Sequence, residues 1–248
     1  MSRLKTEQEI ENLQQGGHIL AGILNELVRL SRPGVSTEEL DKQARALMKQ
    51  AQVESAFFGY RGYPGAICTS INHQVVHGIP DQKTVLREGD VLSIDIGIKY
   101  KNLITDMART IPIGRVSQSA EKLISTTKQA LSLGIAAIQA GQPLGRVGAA
   151  VQEFAEQQGY GVVRDLSGHG VGHMLHEDPS IPNFGPASQG PIVQAGMVLA
   201  IEPMLTLGDW QVKTLDDGWT VVTADRKISA HFEHTIAVTG QGVKVLTK

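Results

Sequence analysis

A chain of 248 residues with 41% hydrophobic content is long enough to bury a substantial core, as one large domain or two small ones. Its 23 Lys and Arg against 25 Asp and Glu leave a net charge of −2, and no basic block follows a phosphate backbone, so nucleic acid is not an expected partner. The single cysteine, Cys68, rules out an intramolecular disulfide and a multi-cysteine metal site, and its neighbours Ala66, Ile67 and Thr69 carry no charge to activate it as a nucleophile.

The N-terminal segment MSRLKTEQEIENLQQ lacks the apolar stretch of a signal peptide, and no run approaches the roughly 18 apolar residues of a membrane span, so a soluble cytoplasmic protein is expected. Thr6-Glu7-Gln8-Glu9 has the form of a capping box, and Ile10, Leu13, Leu20, Ile23, Leu24 and Leu27 follow at helical spacing, predicting a long helix that ends near Arg32-Pro33-Gly34. Ser36-Thr37-Glu38-Glu39 repeats the signal, with Leu40, Ala44, Leu47, Met48 and Ala51 as the buried stripe of a second helix. The stretch FFGYRGYPGAIC reads as a loop leading into short strands. GDVLSIDIGIKYKNLITDMARTIPIG, residues 89–114, reads as a strand hairpin, Ala120 to Ala140 as a third helix and Arg146 to Gln158 as a fourth. From Gly161 onward, strands alternate with glycine-rich turns.

EGDVLSIDI at Glu88 and AGMVLAIEP at Ala195 align without a gap at an offset of 107, which superposes Asp95 on Glu202. The helix breaks at Pro33 and Pro143 match at an offset of 110. The chain is therefore expected to be a single α+β domain over 1–248, built of two related halves, about 1–115 and 116–248, whose helices pack on one side of a curved antiparallel sheet.

The hairpin sets two acids, Asp95 and Asp106, among Ile, Leu, Val and Met. A turn centred on Tyr100-Lys101 would bring them directly opposite, on one face, with α-carbons about 4.5–5.5 Å apart. Two carboxylates at that distance in a dry core repel unless something compensates. One of them could cap a turn or pair with Arg109 or Lys99, which leaves the other unexplained; a divalent cation between them accounts for both. The second half offers further donors: Glu202 ends the apolar MVLAIEP, Glu233 lies in AHFEHTIAV, and His169 in SGHGVGHMLHEDP. Taken singly, a glutamate is usually a solvated charge and a lone histidine a hydrogen-bonded core group. As a set, four carboxylates and one imidazole balance two divalent ions, suit manganese, ferrous iron or cobalt better than a structural zinc, and predict a dinuclear centre with ions about 3.5–4 Å apart.

Other chemistries are less well supported. His169, His173 and His176 are spaced as on a zinc-binding helix, but Gly168, Gly170 and Gly172 disfavour a helix and no H-E-x-x-H is present. No P-loop lysine, dinucleotide fingerprint or G-x-S-x-G elbow occurs.

With these residues assembled, the chain resembles the type I, bacterial-like methionine aminopeptidases, through GYPGAICTSIN, HGIPD, GDVLSIDIG, TDMARTIPIG, SGHGVGHMLHEDP, AIEPML and FEHTIAVT, in order over nearly its whole length. The resemblance implies the pita-bread fold and a dinuclear site, holding Co, Mn, Fe or Zn, formed by Asp95, Asp106, His169, Glu202 and Glu233. It further implies that His77 lies beside the scissile amide, that His176 hydrogen-bonds the substrate carbonyl, and that Glu202 doubles as the proton acceptor. Without the resemblance both of these histidines would read as turn-stabilising groups. Tyr60, Tyr63, Cys68 and Trp219 match positions lining the methionine side-chain pocket. Phe57 stands where a small or sulfur-containing residue can occur, and Leu175 where an aromatic is frequent, so the pocket's shape is this chain's own.

The activity so implied is removal of N-terminal methionine from peptides or nascent chains, with a small second residue preferred; the chain's own Met1-Ser2 would qualify. A short monomeric enzyme without a zinc-finger extension, working near the ribosome, fits the same resemblance. Two alternatives stay open. Prolidases and aminopeptidase P share the fold and the five ligands but carry an additional N-terminal domain, whereas the second helix here already starts at about Thr37. A pita-bread binding module that has lost catalysis would lose several of the ligands.

Overall fold

The computed structural model describes residues 4–248, so Met1 and Ser2 lie outside the described residues. The first helix, α1 (Glu7–Leu30), starts from the expected capping box: the Thr6 side chain accepts the Glu9 N–H, and the Glu9 carboxylate accepts the Thr6 N–H at 2.8 Å. Its stripe of Ile10, Leu13, Leu20, Ile23, Leu24 and Leu27 is buried throughout. The Ser36 hydroxyl caps α2 (Thr37–Gln50) by accepting the Glu39 N–H. The third helix, α3 (Gln118–Ala136), is shifted toward the N-terminus from the span expected, because Ser117 caps it through the Ala120 N–H and a tight turn from Ile138 N–H to the Ile135 carbonyl closes it. The fourth, α4, spans Arg146–Gln157.

Among the described residues, nine strands form one antiparallel sheet. Its path runs Glu54–Ser55, Val91–Tyr100, Leu103–Pro112, Glu233–Thr239, Val198–Ile201, Ser167–Gly170 and Glu177–Pro182; Cys68–Ile71 also pairs with Val91–Tyr100, and Gly242–Val245 with Glu233–Thr239. In Val91–Tyr100, the residues Leu92, Ile94, Ile96 and Ile98 pack into one core with Leu20, Leu24 and Leu27 of α1 and Leu40 and Ala44 of α2. Side chains alternate across a strand, so Asp95 is turned to the other face of the sheet. In the second half, Leu199, Ile201, Ile236 and Val238 pack against Leu131 of α3 and Val147 of α4 in the same manner.

The hairpin register differs from the one expected. Tyr100 pairs with Leu103, and the two-residue turn is Lys101-Asn102, with φ of 49° and 63°. Asp95 therefore faces Ala108, and Asp106 faces Gly97. The two acids are diagonal neighbours, about 7–8 Å apart at the backbone, rather than a directly opposed pair. A slip of two residues preserves the face, which is why both carboxyls still reach the same space. The cause lies in the turn: a tight hairpin of this kind needs left-handed residues at both central positions, and Asn102 accommodates that conformation better than Tyr100.

The internal repeat runs at a single offset of 107, including the helix breaks, where the sequence suggested 110. Gly34 N–H donates to Leu86 carbonyl and Gly141 N–H to Val193 carbonyl; Gly89 N–H donates to Ile113 and Gly196 N–H to Val238, where the donors keep the offset and the acceptors lose it because extra chain separates the paired strands of the second half. The isolated bridges Ser36 to Val85 and Pro143 to Ile192 obey the same offset. Gly89 and Gly196 share φ of 93° and 92°, a left-handed turn that feeds the next strand in each half. Close packing seals the chain's two ends together: a side chain on Gly17 of α1 would put its β-carbon 2.2 Å from the Leu246 carbonyl oxygen.

Candidate active site

The acids come together because three adjacent strands present them in register. Asp95 pairs with Ala108, and Ala108 pairs in turn with Glu233 on the next strand, so all three occupy one face. Asp106 lies two residues before Ala108, and Glu202 directly follows Val198–Ile201, the strand paired with Glu233–Thr239. His169, on Ser167–Gly170, pairs with Ala200. One donor atom each from Asp106, His169 and Glu233 falls within 4.8 Å of the others, and His169 Nε2 is 3.4 Å from Glu202 Oε1.

Burial raises the pKa of all four carboxyls, reinforced by their mutual repulsion at Asp95, Glu202 and Glu233; Asp106 sits at about 7, with the Met107 N–H bond to its Oδ1 opposing the shift. Among the described residues no Lys or Arg pairs with any of them: Arg109 bonds to Asn25 instead. Asp95 Oδ1 and Glu233 Oε1 are buried without a hydrogen-bond partner. The His169 Nδ1 lies 2.9 Å from the Gly170 carbonyl. Donation there places the proton on Nδ1 and leaves the Nε2 lone pair aimed at the acids. Orphaned carboxylate oxygens, an oriented imidazole and an unbalanced buried negative charge are what a divalent-cation site requires, so the donor set fits such ions.

These five residues form part of the lining of a cavity of about 360 Å³, whose wall also contains Phe57, Tyr60, Tyr63, Cys68, His77, Leu175, His176 and Trp219. Every site residue expected from the sequence is thus gathered in one place. Cys68 pairs with Asp95 at the inner end, and burial pushes its thiol up, with Asp95 adding to the effect. The strand Gln74–Val76 pairs with Val221–Thr223, which brings His77 against Trp219 at a ring separation of 6.2 Å, with Trp219 edge-on to Tyr63 at 5.0 Å. His77 has φ of 59°, a conformation that non-glycine residues adopt where structure around them imposes it, often at functional sites. Burial lowers its pKa to about 4, with a further contribution from His176, so the ring is neutral.

At the mouth, the Tyr60 hydroxyl and His176 Nδ1 are 3.0 Å apart, and the His169 and His176 rings lie 4.3 Å apart. The loop carrying His176 is tied to the start of the chain: Glu177 accepts the N–H groups of His173 and Met174 and pairs with Lys5, while His173 Nε2 meets Glu9 at 2.7 Å. Two neighbours were not foreseen. Arg61 lines the cavity and lies 5.4 Å over the Tyr60 ring, held at φ of 48° in a short 3₁₀ turn; nothing in its sequence context marks it. His231 lies behind Glu202 and Glu233; it ends the strand Ser229–His231, and a break at Phe232 separates it from Glu233–Thr239, so no strand period ties it to Glu233.

Residues 11–240 match the model of metallopeptidase family M24. A methionine aminopeptidase of Clostridium acetobutylicum is 44% identical over 98% of both chains. The crystal structure of a methionine aminopeptidase from Thermotoga maritima superposes with a TM-score of 0.98 at 42% identity, covering both chains completely. A prolidase from Pyrococcus furiosus shares the fold at a TM-score of 0.80 and 24% identity, but this chain covers only 65% of it. The α+β pita-bread architecture is the one these relatives share. The chain belongs to metallopeptidase family M24, and the relatives just described that match it over the full length of both chains are methionine aminopeptidases.

Proposed function

We propose that the protein is a metal-dependent methionyl aminopeptidase that releases N-terminal methionine from peptides and nascent chains, preferring a small second residue. The observation that carries this reading is the juxtaposition of buried acids and His169 with an apolar, aromatic wall in one cavity. We assign Asp95, Asp106, His169, Glu202 and Glu233 as ligands of two divalent ions, and 1–248 as one catalytic domain with halves of about 1–115 and 116–248. When bound, the ions supply Lewis acidity, a water of lowered pKa and an anchor for the free α-amine.

The chain's own groups do the rest. Glu202 takes up the proton of the attacking water. With the Tyr60 hydroxyl donating to Nδ1, His176 carries its proton on Nε2 and donates to the substrate carbonyl as charge develops there. Neutral His77 hydrogen-bonds the leaving nitrogen. Phe57, Tyr60, Tyr63, Cys68, Leu175 and Trp219 receive an unbranched thioether, for which aromatic edges are favourable partners worth about 0.3–1.5 kcal/mol each. No helix among the described residues is long and apolar enough to cross a membrane; independently of that, we propose a monomer acting in the cytoplasm on chains emerging from the ribosome.

The test is to strip the purified protein with a chelator and assay Met-Ala-Ser and an X-Pro peptide while titrating manganese, cobalt, ferrous iron or zinc. Release of methionine that returns with metal supports the reading; preference for the X-Pro peptide, or no release with any of the ions, contradicts it.

A further inference from the structure

His231 has no part in the chemistry above, yet it is among the most confined groups in the molecule. Its side chain is 2% exposed, and neither ring nitrogen has a hydrogen-bond partner. Nε2 lies 3.6 Å from Glu202 Oε2 and 3.9 Å from Glu233 Oε2. The ring is absent from the cavity lining, so it stands behind the two glutamates rather than before a substrate. Its backbone is locked at both ends: the His231 N–H donates to the Thr110 hydroxyl at 2.8 Å, and that hydroxyl donates to the His231 carbonyl at 2.7 Å. Ser93 Oγ, 2.7 Å from the same hydroxyl, completes the support.

The two glutamates are divided in a consistent way. Glu202 turns Oε1 toward His169 and Oε2 toward His231. Glu233 likewise turns Oε2 toward His231, while its Oε1 has no partner. Each carboxylate thus has one oxygen on the His231 side and another left for other work. A buried imidazole with two unsatisfied nitrogens calls for an explanation, and carboxylates that ligate metals are held by outer hydrogen bonds that fix their orientation.

We propose that His231 is a positioning residue for the metal centre: its Nε2–H, now 3.6 Å from Glu202 Oε2 and 3.9 Å from Glu233 Oε2, closes to a hydrogen bond on the Glu202 Oε2 edge when ions are bound, and so presents the remaining carboxylate oxygens to them. The inference rests on the metal-dependent reading given above. His231 acts through the glutamates and ligates nothing itself.

The test uses the full chain, a chelator-stripped preparation and three measurements. Titration of the wild-type protein with manganese followed by calorimetry first establishes that the ion binds; absence of binding there would count against the metal reading as a whole and this proposal with it. If the wild type binds, His231→Leu is expected to weaken manganese affinity by about 10–100-fold and to lower turnover, whereas His231→Gln, which keeps an N–H donor of similar reach, should stay within a few-fold of wild type. Wild-type affinity in His231→Leu, or equal losses in both variants, overturns the proposal. Should the leucine variant fail to fold, imidazole nitrogen NMR of the zinc-loaded wild type decides: His231 Nε2 is expected to keep its proton while His169 Nε2 takes the shift of a coordinated nitrogen. A coordinated or proton-free His231 Nε2 would make it a ligand or a bystander and end the proposal.

Discussion

The two halves of the molecule start alike and then diverge. Each turns at a glycine with φ near 92°, enters a strand whose alternate residues pack on two helices, and delivers an acid to the opposite face. The first half closes its hairpin at once through Lys101-Asn102, giving a ten-residue ladder that carries both Asp95 and Asp106. The second half interrupts the equivalent hairpin between Val198–Ile201 and Glu233–Thr239 with short strands, one of which ends at His231, and with the turn between Val212–Thr214 and Val221–Thr223 that carries Trp219. The first half sets two acids on one unbroken hairpin and the second sets two more on an opened version of it, beside His169, while both supply the cavity wall: Phe57, Tyr60, Tyr63, Cys68 and His77 from the first, Leu175, His176 and Trp219 from the second. A repeated unit has thus placed buried acids twice, and the interruption in its second copy lets loops from both halves close around them.

Removing an acid from the unbroken hairpin should have the largest effect. Asp106→Ala is expected to fold normally and to lose methionine release to the level of a no-enzyme control, measured on a Met-Gly-X peptide with metal supplied. A normal rate would show that the ladder's acids are not the reacting centre.

Next in size is the dependence of metal-free stability on pH. Burial holds Asp106 at about 7, above its ordinary 3.8, and raises the other three acids as well. A carboxyl with a raised folded pKa contributes stability that is complete below its ordinary value and is lost as pH rises through the folded one. The buried His77, His169 and His231 are lowered to about 4, 4 and 3, chiefly by burial, so their contribution changes only below about 6.5 and does not interfere above it. Between about pH 6.5 and 8, thermal melting of the stripped protein should therefore fall with rising pH, and divalent metal should raise the melting temperature most at the upper end. A flat profile in the stripped protein would mean that the acids are already compensated.

Smaller effects probe the seam between the halves and the turn that closes the first hairpin. Gly17→Ala drives a β-carbon into the Leu246 carbonyl and should destabilise by about 1–3 kcal/mol in denaturant titration, with substrate preference unchanged. Asn102→Gly relieves a left-handed residue in the tight turn and should stabilise by up to about 1 kcal/mol without moving the register.

Features set by local chemistry are legible in the sequence, and those set by contacts between distant loops are not. Thr6 and Ser36 announce their helices because a cap is a local hydrogen bond, and the alternation of Leu92, Ile94, Ile96 and Ile98 around Asp95 announces its face because a strand has period two. The register was misjudged by two residues because it depends on which dipeptide tolerates the left-handed turn, a choice that spacing leaves open and Asn102 decides. The wall of the cavity was accessible only through resemblance, since Tyr60, His77, Leu175, His176 and Trp219 arrive from separate loops and short strands with no shared period. Arg61 is marked by neither route, nor is His231, because the strand break at Phe232 removes any period linking it to Glu233.

The account depends on cations balancing four buried carboxylates, and diffraction from crystals grown with manganese, with anomalous data at an energy that identifies the ion, tests this most directly. The account predicts two manganese peaks about 3.5–4 Å apart, contacted by Asp95, Asp106, His169, Glu202 and Glu233. Crystals with no anomalous density among those side chains, or with the ions held elsewhere, would contradict it.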